Sequence, residues 1–173
     1  MSDGPNAREP MDLAATTVEA VIEIPSGSQN KYELDHHTGR IRLDRVLYSP
    51  FHYPADYGFV PNTLAEDGDP LDVIVMITQP TFPGCQLRAR IVGLLEMHDE
   101  HGVDDKLFSV AADDPRYDGV VTLEDLPAHT LKEIVHFFST YKELQGLPTV
   151  VGEWRSAERA IAVLEECRRR FTL

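Results

Sequence analysis

Between Thr17 and Ala111 the chain is a series of short alternating or apolar runs, nearly every one cut off by glycine or proline, and this pattern commits it to a β architecture. From Thr17 to Ile24, Val18, Ala20, Ile22 and Ile24 fall on one side and Glu19, Val21 and Glu23 on the other. That is the two-residue period of a strand, and Pro25-Ser26-Gly27-Ser28 ends it. Lys31 to Asp35 and Arg40 to Leu43 alternate across His36-His37-Thr38-Gly39 as a hairpin does, with Lys31 and Glu33 on one face. Apolar runs from Leu71 to Ile77, Leu87 to Met97 and Leu107 to Ala111 follow. Turn-spaced strands of this kind predict an antiparallel barrel or sandwich rather than a β-α-β sheet.

Helical period enters only near the C-terminus. Leu131, Ile134, Val135, Phe138 and Tyr141 mark one helix, and Ala157, Ala160, Ile161, Leu164, Cys167 and Phe171 a second. Pro127 suits the first helix's opening turn, Ser156 a cap for the second, and Arg168-Arg169-Arg170 its C-terminal dipole. Residues 1–16 carry no apolar period and read as a loose tail, leaving 17–173 as a single domain. The chain's 173 residues, 42% of them hydrophobic, suffice for one core of ordinary size.

Charge limits the partners. With 29 acidic and 16 basic side chains the net charge is −13, which repels nucleic-acid backbones and anionic membrane surfaces. A small phosphate ligand can enter only where metal ions and local cations reverse that sign. Cys85 and Cys167 lie far apart, without a C-x-x-C pair, as reduced thiols of a cytoplasmic protein do. No apolar run reaches the roughly 18 residues of a membrane span, and the first residues lack a signal-peptide layout.

In Asp67-Gly68-Asp69-Pro70-Leu71-Asp72 carboxylates recur in a turn that runs straight into an apolar strand. Asp-Gly-Asp-Pro alone fits a solvated turn as well as a metal site. Asp72 weighs toward metal, because it shares a strand face with Ile74 and Met76, where a carboxylate needs a partner. An EF-hand is disfavoured, since the sixth and twelfth positions from Asp67 hold Asp72 and Thr78 instead of Gly and Glu. Asp99-Glu100 with Asp104-Asp105-Lys106 form a second acidic group, read either as a charged hairpin loop or as the rest of a hard oxygen site for Mg²⁺ or Mn²⁺. Lys31, Arg45, Lys106 and Lys142, with the hydroxyls of Tyr53, Tyr57 and Tyr141, are candidate phosphate contacts at strand ends, in loops or at a helix end. Phe51 to Phe59 is an aromatic-rich loop whose role is either packing or function.

In order, Glu23 within Val21-Ile22-Glu23-Ile24-Pro25, Lys31-Tyr32-Glu33, Asp44-Arg45, Tyr53-Pro54 to Tyr57-Gly58, Asp67 to Asp72, Asp99-Glu100 through Lys106, and His136-Phe137-Phe138 to Tyr141-Lys142 resemble the blocks of the family I soluble inorganic pyrophosphatases of bacterial type. The resemblance runs from Val18 to Trp154. It implies a mainly β, α+β fold: a five-stranded OB-type barrel with two outer helices near the C-terminus, assembled as a homohexamer. It implies hydrolysis of inorganic pyrophosphate by metal-activated water with several Mg²⁺ per site. Asp67, Asp72 and Asp104 are then ligands of a first ion, Asp72 shared with a second, Asp99 and Asp104 ligands of an ion brought by substrate, and Glu33 of a further one. Lys31, Arg45, Lys106, Tyr141 and Lys142 become phosphate contacts, and Asp69 the proton acceptor. Glu23, Tyr53 and Tyr57 orient the site, Tyr53 also counting among the substrate contacts. One departure is the lysine-free run Leu144 to Val151, where the family commonly carries lysines. His98 and His101, next to the second acidic group, either tune metal preference, sit at a subunit contact or face solvent. Rival readings are a catalytically silent OB-type module that binds oligonucleotides or acts as a scaffold, and another metal-dependent phosphohydrolase.

Overall fold

The computed structural model describes residues 12–173. Its elements are β1 (Thr17–Ile24), β2 (Asn30–Asp35), β3 (Arg40–Val46), β4 (Asp56–Phe59), β5 (Asp72–Met76), β6 (Gln86–Asp99), β7 (Gly102–Val103), β8 (Lys106–Ala111), α1 (Ala128–Thr140), β9 (Val150–Arg155) and α2 (Ala157–Thr172). Most of the expected tail lies outside the described residues. Residues 12–16 form a turn, and the Thr16 carbonyl accepts the Ile91 N–H at 2.9 Å, tying that turn to β6.

Five strands close on themselves. β1 pairs antiparallel with β4 and with β6, β4 with β5, and β8 with β6. The last junction, β5 to β8, is parallel. This is one departure from the antiparallel expectation, and it follows from the chain order: β8 returns beside β5 only after β6 and β7 have intervened. Closure leaves no open edge in the ring. β6 is 14 residues long, so its second half also pairs with β9. The β2–β3 hairpin is a separate two-stranded sheet.

β4 sits inside the aromatic segment that reads as a loop. All four of its residues are buried. Gly58 is what allows it to pair: a Cβ there would lie 1.9 Å from the Val21 carbonyl oxygen and 2.8 Å from Ile22 Cα, so only glycine lets β4 approach β1.

β5 separates two apolar clusters. Val73 and Val75 pack with Ala160, Val163, Leu164 and Cys167 of α2, whereas Ile74 joins Ile134, Phe137 and Phe138 of α1. Strand alternation places Asp72 on the Ile74 face, toward α1. Both helices dock by the apolar stripe that their sequence period shows. Ser156 caps α2 by accepting the Arg159 N–H at 3.4 Å, with Arg169 and Arg170 in its last turn. Pro127 stands at the N-cap of α1, one place before the helix.

Candidate active site

Register builds the centre of the site. Tyr57 lies opposite Ile74 and therefore on the face of Asp72, and the parallel β5–β8 pairing sets Lys106 beside Asp72. The Tyr57 hydroxyl donates to Asp72 Oδ2 at 2.6 Å, and Lys106 Nζ donates to the same oxygen at 2.8 Å and to Asp104 Oδ1 at 2.9 Å. The Lys106 side chain is only 1% exposed. Burial opposes its charge, but Asp72 and Asp104 outweigh that and raise its pKa. Asp104 remains short of positive charge: burial, with Asp72 nearby, pushes its carboxyl up to about 6 despite Lys106.

Glu23 reaches the site through a bulge. The β1–β4 register slips between Ile22 and Ile24, which leaves Glu23 unpaired and turns its carboxylate to accept the Leu34 N–H at 2.8 Å. Burial lifts this carboxyl to about 7. A second slip, between Lys31 and Tyr32, leaves Asp44 as the extra residue of β3. Its Oδ2 accepts from Lys31 at 3.2 Å and from Arg45 at 2.6 Å, while Lys31 also donates to Glu33. These contacts hold Asp44 below its ordinary pKa against the opposing effect of burial.

The acidic turn is shaped by its own groups. Gly68 has φ +92°, a left-handed conformation suited to glycine. Asp67 Oδ1 accepts the Asp69 N–H at 3.0 Å, and the Asp69 carbonyl accepts the Ala65 N–H at 2.7 Å. Asp69 is raised by burial and by its neighbours Asp67 and Asp72. On the opposite wall, just past α1, Lys142 Nζ donates to Asp99 Oδ2 at 3.1 Å and to Glu100 Oε2 at 3.2 Å. Tyr141 is buried beside it, stacked on Phe137 at 5.2 Å.

One cleft of about 450 Å³ gathers Glu23, Lys31, Glu33, Arg45, Tyr57, Asp67, Asp69, Asp72, Asp99, Asp104, Lys106, Tyr141 and Lys142. Tyr53 does not line it. Its ring is 2% exposed and packs on Tyr57 at 5.5 Å and Phe137 at 4.8 Å, so it stands behind the wall. His101 lies at the rim, and His98 lines a separate cavity beside α2. Asp44 and Glu100 also line the cleft, though the sequence assigns neither a role of its own: Asp44 stands only within a family block and Glu100 only within the second acidic group.

Nine carboxylates face four lysine or arginine cations in this wall. Among the described residues no three His, Cys, Asp or Glu side chains converge closely enough to hold an ion by themselves, and the Lys106 ammonium stands between Asp72 and Asp104. The donor set still fits a hard divalent ion. Its carboxylates are hard oxygen donors with no thiol among them, and the cleft's excess of negative charge bars a phosphate anion unless cations are added.

The family model for inorganic pyrophosphatase matches residues 20–172. The chain is 56% identical over 154 residues to the inorganic pyrophosphatase of Geobacillus stearothermophilus, covering 89% of this chain and 93% of that one. It is 52% identical to that of Halalkalibacterium halodurans, over 93% of this chain and 99% of the other. The crystal structure of the inorganic pyrophosphatase from Thermus thermophilus superposes with a TM-score of 0.90 at 46% identity, covering 94% of this chain and 95% of that one. Among the described residues no helix is long and apolar enough to cross a membrane. The chain belongs to the inorganic pyrophosphatase family, hydrolases that act on pyrophosphate and require a divalent metal.

Proposed function

We propose that the cleft hydrolyses pyrophosphate to two orthophosphates with several Mg²⁺ ions per site, Mn²⁺ serving as a substitute, in a chain that works as a cytoplasmic homohexamer whose residues 17–173 act as one domain. The observation that carries this reading is the wall of nine carboxylates interleaved with four cations. Asp67, Asp72 and Asp104 would hold a first ion, Asp72 would also serve a second, Asp99 and Asp104 would meet the ion that arrives with substrate, and Glu33 would hold another. When bound, such ions lower the pKa of attacking water and polarise phosphoryl oxygens.

The side chains do the rest. Asp69 accepts the proton of the attacking water, and its raised pKa brings it nearer to operating pH, where a base is most effective. Tyr57 fixes the orientation of Asp72 through its 2.6 Å hydrogen bond. Glu23, held by the Leu34 N–H, keeps β1 and β2 together under the cleft. Lys31, Arg45, Lys106, Tyr141 and Lys142 take phosphoryl oxygens, with Arg45 offering the forked donor and the lysines point charges that offset developing charge on the leaving phosphate. Tyr53 supports Tyr57 by ring packing rather than touching substrate.

The test is orthophosphate release from pyrophosphate with Mg²⁺, Mn²⁺ or Ca²⁺. Turnover is expected with Mg²⁺, less with Mn²⁺, and poorly with Ca²⁺, whose larger shell suits the site badly. Asp72→Asn should lose most activity while staying folded. Absence of turnover in folded, metal-loaded protein, or equal rates on ATP and pyrophosphate, would sink the reading.

A further inference from the structure

Each lysine of the cleft is held by two carboxylates. Lys31 has Glu33 and Asp44, Lys106 has Asp72 and Asp104, and Lys142 has Asp99 and Glu100. On the proposed reading Glu33, Asp72, Asp99 and Asp104 turn to metal ions in the loaded site, and their lysines turn to phosphate. The same reading assigns no ion to Glu100, so nothing draws it away. Both its carboxylate oxygens lie on Lys142 Nζ, at 3.2 and 3.3 Å, and the lysine side chain is 9% exposed, so there is little room for a further anion beside it. Asp44 is also left over, but it is fixed within the bulge of β3. Glu100 sits on the tight turn between β6 and β7, from which a long side chain can swing.

We propose that Glu100 sets the affinity of the site for its anion, by occupying the phosphate position of Lys142 until substrate displaces it and by returning there as orthophosphate leaves. This rests on Lys142 being a phosphate contact. Glu100 is one negative charge and one competing hydrogen-bond acceptor against the substrate, and both effects act in the same direction. Removing the charge while keeping the shape therefore tightens binding of both pyrophosphate and orthophosphate.

The experiment is a double-mutant cycle of Glu100→Gln and Lys142→Met, with KM for magnesium pyrophosphate and the inhibition constant of orthophosphate read at fixed free Mg²⁺. In the parent background Glu100→Gln should lower both constants about fivefold, which corresponds to about 1 kcal/mol at 1.4 kcal/mol per tenfold, and raise kcat/KM. A merely structural role would lower kcat/KM instead. In the Lys142→Met background, where KM is already raised, Glu100→Gln should lower both constants by clearly less than about fivefold, because only the repulsion by its charge is left to remove. If Glu100→Gln leaves both constants unchanged or raises them, or lowers them equally without Lys142, the inference is overturned while Lys142 keeps its role. If Lys142→Met alone leaves KM unaltered, the phosphate role of Lys142 fails and the inference fails with it.

Discussion

Lys106→Met keeps the stem of the buried lysine and removes its ammonium. The side chain is 1% exposed, and its nitrogen lies 2.8 Å from Asp72 and 2.9 Å from Asp104. It also stands over the rings of Tyr57 and Phe138, at 5.4 and 5.7 Å from their centroids. Removing one partner of a buried ion pair costs about 3–5 kcal/mol, because the charge left behind has lost its water and its counter-ion. Methionine recovers the packing of the stem but none of the charge. The expected loss is therefore about 4 kcal/mol, and at about 2–4 °C per kcal/mol for a chain of this size the melting temperature falls on the order of 10 °C.

The condition that isolates the cause is metal. On the proposed reading divalent ions supply positive charge to the same two carboxylates, so the loss should be full in EDTA and at least halved in saturating Mg²⁺. Urea unfolding of parent and variant in both buffers, at one protein concentration, reads this out. A loss below about 1 kcal/mol in EDTA would show that the ammonium is not what neutralises Asp72 and Asp104. An equal loss in both buffers would show that the missing contribution is packing rather than charge.

Gly58→Ala should destabilise by about 3 kcal/mol or more, since its Cβ would meet backbone atoms of β1 that cannot move without separating β1 from β4. Activity should fall with it, because Tyr57 rides on β4, and a variant melting like the parent would refute the close approach. Asp114 accepts N–H groups of Thr78 and Arg116, and these bonds, Thr78's first, pull its carboxyl down to about 2. A folded pKa below the ordinary value near 3.9 gives stability that is present above about pH 4 and lost as pH falls toward 2. The melting difference between parent and Asp114→Ala should therefore be constant above about pH 5 and shrink between about pH 4 and 2.5. A difference independent of pH would remove the charge from the explanation.

The ring was legible wherever a strand has one dry face. β1 and both helices follow from period alone, because their buried residues recur at two or at three to four, and the β2–β3 hairpin, which buries no residue fully, follows from its alternation across the turn. β4 and β9 did not, for different physical reasons. β4 is buried on both faces and carries Asp56 and Gly58, so no alternation marks it. In β9 the inward residues Val151 and Trp154 are three apart, because the register with β6 slips between Leu95 and Met97. The same effect hid how Glu23 works: in a regular strand it shares the outward side with Glu19, and only the bulge turns it into the cleft. The carboxylates of the acidic turn and the later strand end were readable as types. Their pairing with Lys106 and Lys142 depends on β5 lying parallel to β8 and on α1 ending opposite the β6–β7 turn, and neither is a local property of the sequence.

A chain of net charge −13 must bring nine carboxylates into one cleft before any ligand arrives, and the lysines solve that folding problem first. They come from three separate places, β2, β8 and the residue after Tyr141, so the pairs can form only once those elements have met. Asp44 and Asp99, each with a lysine at hydrogen-bonding distance, stay below their ordinary pKa, whereas Glu23 and Asp69 are pushed up, and so is Asp104, which is deeply buried and shares Lys106 with Asp72. The cleft is thus self-neutralised at Lys31 and Lys142 and short of positive charge around Asp104, Asp69 and Glu23. On the proposed reading this division is what prepares it for pyrophosphate. Divalent ions compensate the unpaired carboxylates and draw others off the lysines, and the lysines then exchange one anion for another. Binding of substrate becomes a replacement of carboxylate by phosphate at cations already in position, with little reorganisation of the fold.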